Sequence, residues 1–129
     1  MKIFSLFLLS LLNLSVFANE GTISETPYNF AKIYIGHGQP YFLEIGSDHC
    51  PSCITMGKTL YTVKKENPKY NIMYINVGND RTTAQQLKVQ MIPTQIIYDA
   101  HGKEVYRHVG KLDEIELDEI FEKYNFNKI

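Results

Sequence analysis

A chain of 129 residues, 44% apolar and 21% charged, has the size and composition of one folded domain, which excludes a disordered tail or a collagen-like fibre. Thirteen Lys and Arg against 14 Asp and Glu leave a net charge of −1 with no basic run, so no nucleic-acid partner is expected. Two cysteines are too few for a disulfide scaffold or a four-cysteine zinc site, yet they stand three positions apart, at Cys50 and Cys53.

The chain opens with one positive charge, Lys2, and an apolar run from Ile3 to Leu12 broken only by Ser5 and Ser10. Val16-Phe17-Ala18 then places small residues at the −3 and −1 positions of a cleavage site before Asn19. This layout predicts a secretory signal peptide over residues 1–18 and a periplasmic protein. The run is shorter than the ~20 residues of a membrane span, so no stable membrane insertion is expected. An uncleaved anchor or a buried N-terminal helix is the alternative reading. Removing 18 residues from 129 leaves 111, with 12 basic and 14 acidic side chains, enough for one core. In an oxidising compartment a close cysteine pair is free to form a disulfide.

Residues 19–27 are polar and read as a flexible lead-in to a domain over 28–129. Tyr28 to Ile35 carries Phe30, Ile33 and Tyr34 at helical spacing, and Gly36 and Gly38 stop it. Pro40 opens a strand, Tyr41 to Ile45, apolar on both faces except at Glu44, the pattern of a central, doubly covered strand. Pro51 suits the first position of a helix, whose apolar stripe of Ile54, Met56, Gly57, Leu60 and Val63 ends before Pro68. Asn71 to Val77 is the next strand, followed by a turn at Gly78-Asn79-Asp80 and a short helix over Thr82 to Val89. Thr94 to Tyr98 and Glu104 to Val109 form a hairpin around His101-Gly102. Asp113 starts a last helix with Ile115, Leu117, Ile120, Phe121 and Tyr124 inward. The order αβαβαββα predicts an α/β fold with a mixed sheet: a parallel crossover between the early strands and an antiparallel edge.

Tyr41–Cys53, YFLEIGSDHCPSC, puts a C-x-x-C directly after a central strand and at the start of a helix. Ile92-Pro93-Thr94 precedes the hairpin, and Gly102 and Gly110 punctuate it. Together, in this order and spacing, these motifs resemble the thioredoxin superfamily over about residues 28–126. The segment from Tyr74 to Gly102 is most similar to exported thioredoxin-like domains, among them the C-terminal domain of the transmembrane thiol:disulfide interchange reductase. The resemblance implies a thioredoxin fold and a thiol:disulfide oxidoreductase. The sequence departs from cytosolic thioredoxin in His49 before the first cysteine, in Pro51-Ser52 between the cysteines and in Ile54 after them. Those departures bear on redox potential and partner choice rather than on dithiol chemistry.

The physics of the pair supports the same reading. With Pro51 first in the helix, Cys50 is its N-cap, and its sulfur faces unpaired backbone N–H groups. A helix N-terminus favours an anion by up to about 2 kcal/mol in a partly buried site, which draws a thiol down from its ordinary pKa of about 8.5. The thiolate is the nucleophile. Cys53, one turn on, can then attack a mixed disulfide formed at Cys50. A permanent staple is the plain alternative, but so short a loop would stabilise by only about 2 kcal/mol. A second alternative is a Cu(I) module built from His49, Cys50, Cys53 and Met56, although Met56 lies on the apolar stripe, where methionine fills cores.

Glu44 lies six positions before Cys50 within an apolar strand, where a carboxylate is costly unless it has a task. The resemblance matches it to a buried acid that exchanges the proton of the second cysteine, and burial raises a carboxyl pKa toward the range where this works. If the strand were instead an edge, Glu44 would simply be solvated. By the same resemblance Pro93 is a cis proline facing the cysteines. Because proline lacks an N–H, the backbone of Ile92 would be free to pair with an extended substrate. A strand-opening trans proline is the alternative. His49 reads as a loop residue that tunes the thiolate, while His37, His101 and His108 read as surface residues. The acidic cluster Asp113, Glu114, Glu116, Asp118 and Glu119 reads as the solvated face of the last helix.

The expected activity is therefore reduction of protein disulfides by Cys50 and Cys53, with no cofactor and with electrons supplied by a membrane-bound reductase. Oxidation or isomerisation of dithiols by the same fold, and the copper module, are the rival readings.

Overall fold

The computed structural model describes residues 21–128, so the predicted signal peptide over 1–18 lies outside the described residues. Four helices and four strands follow in the predicted order: α1 (Tyr28–Tyr34), β1 (Tyr41–Gly46), α2 (Pro51–Glu66), β2 (Ile72–Asn76), α3 (Arg81–Gln86), β3 (Thr94–Tyr98), β4 (Glu104–Val109) and α4 (Glu114–Lys123). A single turn of 3-10 helix, Phe126–Lys128, follows α4. The sheet runs β2-β1-β3-β4. β1 and β2 are parallel, as a crossover through α2 requires, whereas β3 runs antiparallel to β1 and to β4.

Strand periodicity divides the core in two. On β1, Phe42 packs with Met56, Leu60 and Val63 of α2 and with Leu117 and Phe121 of α4. Leu43 and Ile45 point to the opposite face, where Ala31 of α1 and Leu87 beyond α3 cover them. With helices on both faces and a strand on either side, β1 is the central strand the sequence implies. Glu44, 1% exposed, is therefore not the solvated side chain of an edge.

The helix ends follow from local chemistry. Asp80 caps α3 by accepting from Thr83 N–H at 3.0 Å. Asp113 and Glu116 form a reciprocal capping box at α4. At the end of α2, the Asn67 backbone and side chain both donate to Val63 O, ahead of Pro68.

Three stripes differ from expectation. On α1, Phe30, Ile33 and Tyr34 are exposed, and the sheet takes Ala31, flanked by Tyr28 and Ile35. Both sets have helical spacing, and the small alanine lets the helix approach the strands closely. Ile115 is 72% exposed, because it lies two positions, or 200° of helix, from Leu117. Ile54 is 42% exposed, displaced from the stripe of Cys53, Met56, Gly57, Leu60 and Val63.

Backbone hydrogen bonds tie the described part of the polar lead-in to the fold. Thr26 N–H donates to Tyr74 O at 2.7 Å, Glu25 bridges Tyr74, and Ile23 N–H donates to Gly57 O at 3.3 Å. Segment 23–26 thereby covers the outer edge of β2, whose unpaired backbone groups would otherwise face water.

Candidate active site

The chain leaves the carboxyl end of β1 through Ser47, Asp48 and His49 and turns into α2 at Cys50. Asp48 anchors this loop by accepting from Tyr74 Oη at 3.0 Å and from Asn76 Nδ2 at 3.1 Å, both on β2. His49 is exposed, and its backbone N–H donates to Ser47 Oγ at 3.2 Å. Cys50 is the N-cap of α2, and its Sγ accepts the backbone N–H of Cys53 at 3.2 Å. Pro51, at the first helical position, has no N–H to satisfy.

Cys50 and Cys53 are joined as a disulfide, with Cα atoms 5.1 Å apart. The two sulfurs are not equivalent. Cys50 is half-buried at the mouth of the loop, while Cys53 is only 5% exposed and packs on β1. Gly46 makes that packing possible: a Cβ there would lie 3.1 Å from Cys53 Cβ and 3.2 Å from its Sγ. Sequence reasoning did not single out this glycine, whose signal is its place at the end of an apolar strand before a C-x-x-C.

Glu44 is two residues before Gly46, so by strand alternation it points to the same face, about 7 Å along from the wall that Cys53 touches. Burial pushes its carboxyl up to about 8, and a hydrogen bond from Gln95 pulls partly the other way. Gln95 Nε2 donates to Glu44 Oε2 at 3.1 Å, and Gln95 Oε1 lies 2.7 Å from His108 Nδ1. Tyr74, Glu44, Gln95 and His108 are successive register partners, one from each strand, and form a polar row across the whole sheet. His108 is thus half-buried and bonded inward rather than being a surface residue; His37 and His101 are exposed, as expected. Gln95, fully buried, was missed in the sequence, although an amide within the strand TQIIY is a signal close to the one that marked Glu44.

The Ile92–Pro93 peptide bond is cis. Thr94 pairs with Ile45, so the next step of that register brings Pro93 abreast of Gly46, at the end of the sheet where Cys53 sits. Pro93 is buried and its carbonyl accepts from Gly110 N–H at 2.8 Å. Of the four residues considered for copper, Met56 is committed elsewhere: its sulfur accepts Leu112 N–H at 3.3 Å within the core between α2 and α4. Among the described residues, no group of three or more His, Cys, Asp or Glu side chains is arranged to hold a metal ion.

A mixed sheet with a disulfide at the N-terminus of the helix after its central strand defines a thioredoxin-fold protein with a redox-active cysteine pair. The thioredoxin-like domain model matches residues 29–125, and the chain belongs to that family. Thioredoxin of Chlamydia trachomatis is 28% identical over 82 residues, covering 64% of this chain and 79% of its own. Two solved structures share the fold. Fasciola hepatica thioredoxin superposes with a TM-score of 0.67 at 21% identity, over 76% of this chain and 94% of its own. Chloroplastic thioredoxin z superposes with a TM-score of 0.70 at 18% identity, over 81% and 96%. Family and site together make this chain a thiol:disulfide oxidoreductase.

Proposed function

We propose that this protein is exported and reduces disulfides of protein substrates by dithiol exchange at Cys50 and Cys53. The observation that carries the reading is the asymmetry of the pair: a half-buried sulfur capping a helix, and a buried one on the sheet face that also carries a buried acid.

Reduced Cys50, held as thiolate by the N–H groups of α2, attacks a substrate disulfide. One substrate sulfur leaves as thiolate and is protonated by water, while the other stays bonded to Cys50. Cys53 gives its proton to the Glu44 carboxylate and attacks Cys50 Sγ. The second substrate sulfur leaves, the Cys50–Cys53 bond closes, and two electrons have passed to the substrate. A base behind Cys53 serves this resolving step and, as the acid, its reverse; the choice of reduction rests instead on Ile92 before the cis Pro93, the thioredoxin-like residue at that position. Since Glu44 ionises at about 8, resolution accelerates as pH rises through 7 and levels off above 8.

Ile92, next to the N–H-free Pro93, offers backbone groups to an extended substrate. Exposed Ile54, Met91 and Val109 add apolar surface for a protein rather than a small thiol. His49, exposed one residue before Cys50, tunes the thiolate. Each turnover leaves the enzyme oxidised, so an electron donor is required, and a membrane-bound reductase suits an exported protein. The export reading rests on the leader pattern of residues 1–18.

The assignment of roles predicts a trapping result. Cys53→Ser accumulates a mixed disulfide between Cys50 and substrate, visible as a mass increase that dithiothreitol reverses. Cys50→Ser accumulates none. Equal trapping by both variants would overturn the division of labour.

A further inference from the structure

We propose that Gln95 and His108 are positioning residues that set the proton affinity of Glu44, with the hydrogen-bond direction at His108 dictating which end of the Gln95 amide faces the carboxyl. This rests on the reading of Glu44 as proton acceptor for Cys53 and goes beyond it.

The argument comes from donor and acceptor counting. Gln95 is fully buried, and its two polar ends have one partner each: Nε2 with the Glu44 carboxyl, Oε1 with His108 Nδ1 at 2.7 Å. An amide oxygen cannot donate, so this contact requires a proton on Nδ1. With Nδ1–H donating to Oε1, the NH2 end must face Glu44, and it supports the carboxylate form. The arrangement that also pairs the O–H of a protonated Glu44 reverses every bond. Glu44 as a carboxylic acid donates to Oε1, and the turned amide donates to an unprotonated Nδ1. A protonated Glu44 facing the NH2 end accepts on its carbonyl oxygen only and leaves its O–H without a partner in this row, while a carboxylate facing Oε1 sets acceptor against acceptor; both are costly where water cannot compensate.

The proton inventory closes in this scheme. Glu44 receives the proton that Cys53 loses, Gln95 turns without gaining or losing one, and the Nδ1 proton of His108 exchanges with solvent at the edge of the sheet. The amide therefore transmits hydrogen-bond polarity and no proton. His108 can play this part because it is half-buried on β4, the strand at the edge of the sheet, stacked parallel to Tyr106. The other titratable groups on this row are few. Cys53 of α2 packs on the same face, and Tyr74 of β2 is bound to Asp48 with Glu25 nearby; from α4, Tyr124 and Glu116 face Tyr106 rather than Glu44.

The test is the 13C titration of the Glu44 side-chain carboxyl in the full-length protein, followed in parallel with the pH profile of the resolving step. Removing the donor in Gln95→Leu, or freeing the amide to turn in His108→Phe, raises the Glu44 midpoint and the kinetic midpoint together by about one pH unit. His108→Asn, whose side-chain N–H can stand where Nδ1 stands, returns both close to the parent value; a purely structural role for His108 predicts no such rescue. Should Gln95→Leu fail to fold, His108→Phe at the sheet edge carries the test alone. An unchanged Glu44 midpoint in His108→Phe would overturn the proposal. Glu44→Gln separates it from the reading beneath: loss of the kinetic transition supports Glu44 as acceptor, and its persistence overturns that reading and the proposal with it.

Discussion

A carboxyl that ionises at about 8 inside a folded chain, against its ordinary 4.5, is a stability statement as well as a catalytic one. The buried site holds the protonated form well. Its contribution is full below about pH 4.5, shrinks as pH rises to about 8, and is level above that, because the unfolded chain releases its proton first. At pH 7 the difference is about 3 kcal/mol. Glu44→Gln keeps the shape without the charge, so it should match the parent in urea unfolding near pH 4 and exceed it by roughly that amount at pH 7. A gap that does not vary with pH would place the ionisation elsewhere. The cost of Glu44 at neutral pH is the kind of local inconsistency that marks a site with a task. Sequence alone exposed this residue, since a lone acid among Tyr41, Phe42, Leu43 and Ile45 has no structural excuse. It did not expose the partners, because Gln95 and His108 join Glu44 only through strand register, which brings together residues 51 and 13 positions apart.

Among the elements, α2 carries the chemistry, and its seat on β1 sets where Cys53 lies. Gly46→Ala would press a methyl against Cys53 Cβ and Sγ and within 3.3 Å of the Tyr74 ring. None of these neighbours is the loose end of a flexible chain, so α2 must shift. We expect a loss of about 1–3 kcal/mol in urea unfolding, together with slower resolution of the mixed disulfide. α4 offers the contrast. Asp113→Ala removes half of a capping box that makes no hydrogen bond to either cysteine, and should lower stability by about 1 kcal/mol while leaving disulfide exchange at the parent rate. The start of α2 was legible because its signals are local: a capping cysteine, a proline at the first position and a stripe three and four residues apart. The inward face of α1 was not. Periodicity tells which residues share a face, whereas the choice between Ala31 and the larger Phe30, Ile33 and Tyr34 depends on how closely the helix must approach the sheet.

For the molecule as a whole, element order and the mixed sheet followed from alternating helix and strand patterns, and the packed layers on either side of β1 followed from its being apolar on both faces. What the pattern could not supply was the covering of β2 by residues 23–26, a polar segment held by backbone hydrogen bonds that no side-chain periodicity announces. The assembled fold places a half-buried helix-capping sulfur, a buried partner and a buried acid at one end of a rigid sheet. The working direction of that device is a property of the whole protein, expressed as the equilibrium between its dithiol and disulfide forms. Equilibrating the Cys50–Cys53 couple against glutathione or dithiothreitol buffers and counting free thiols measures it directly. A reductase predicts a potential of about −270 mV; a value of about −120 mV would make the protein a dithiol oxidant and contradict the account.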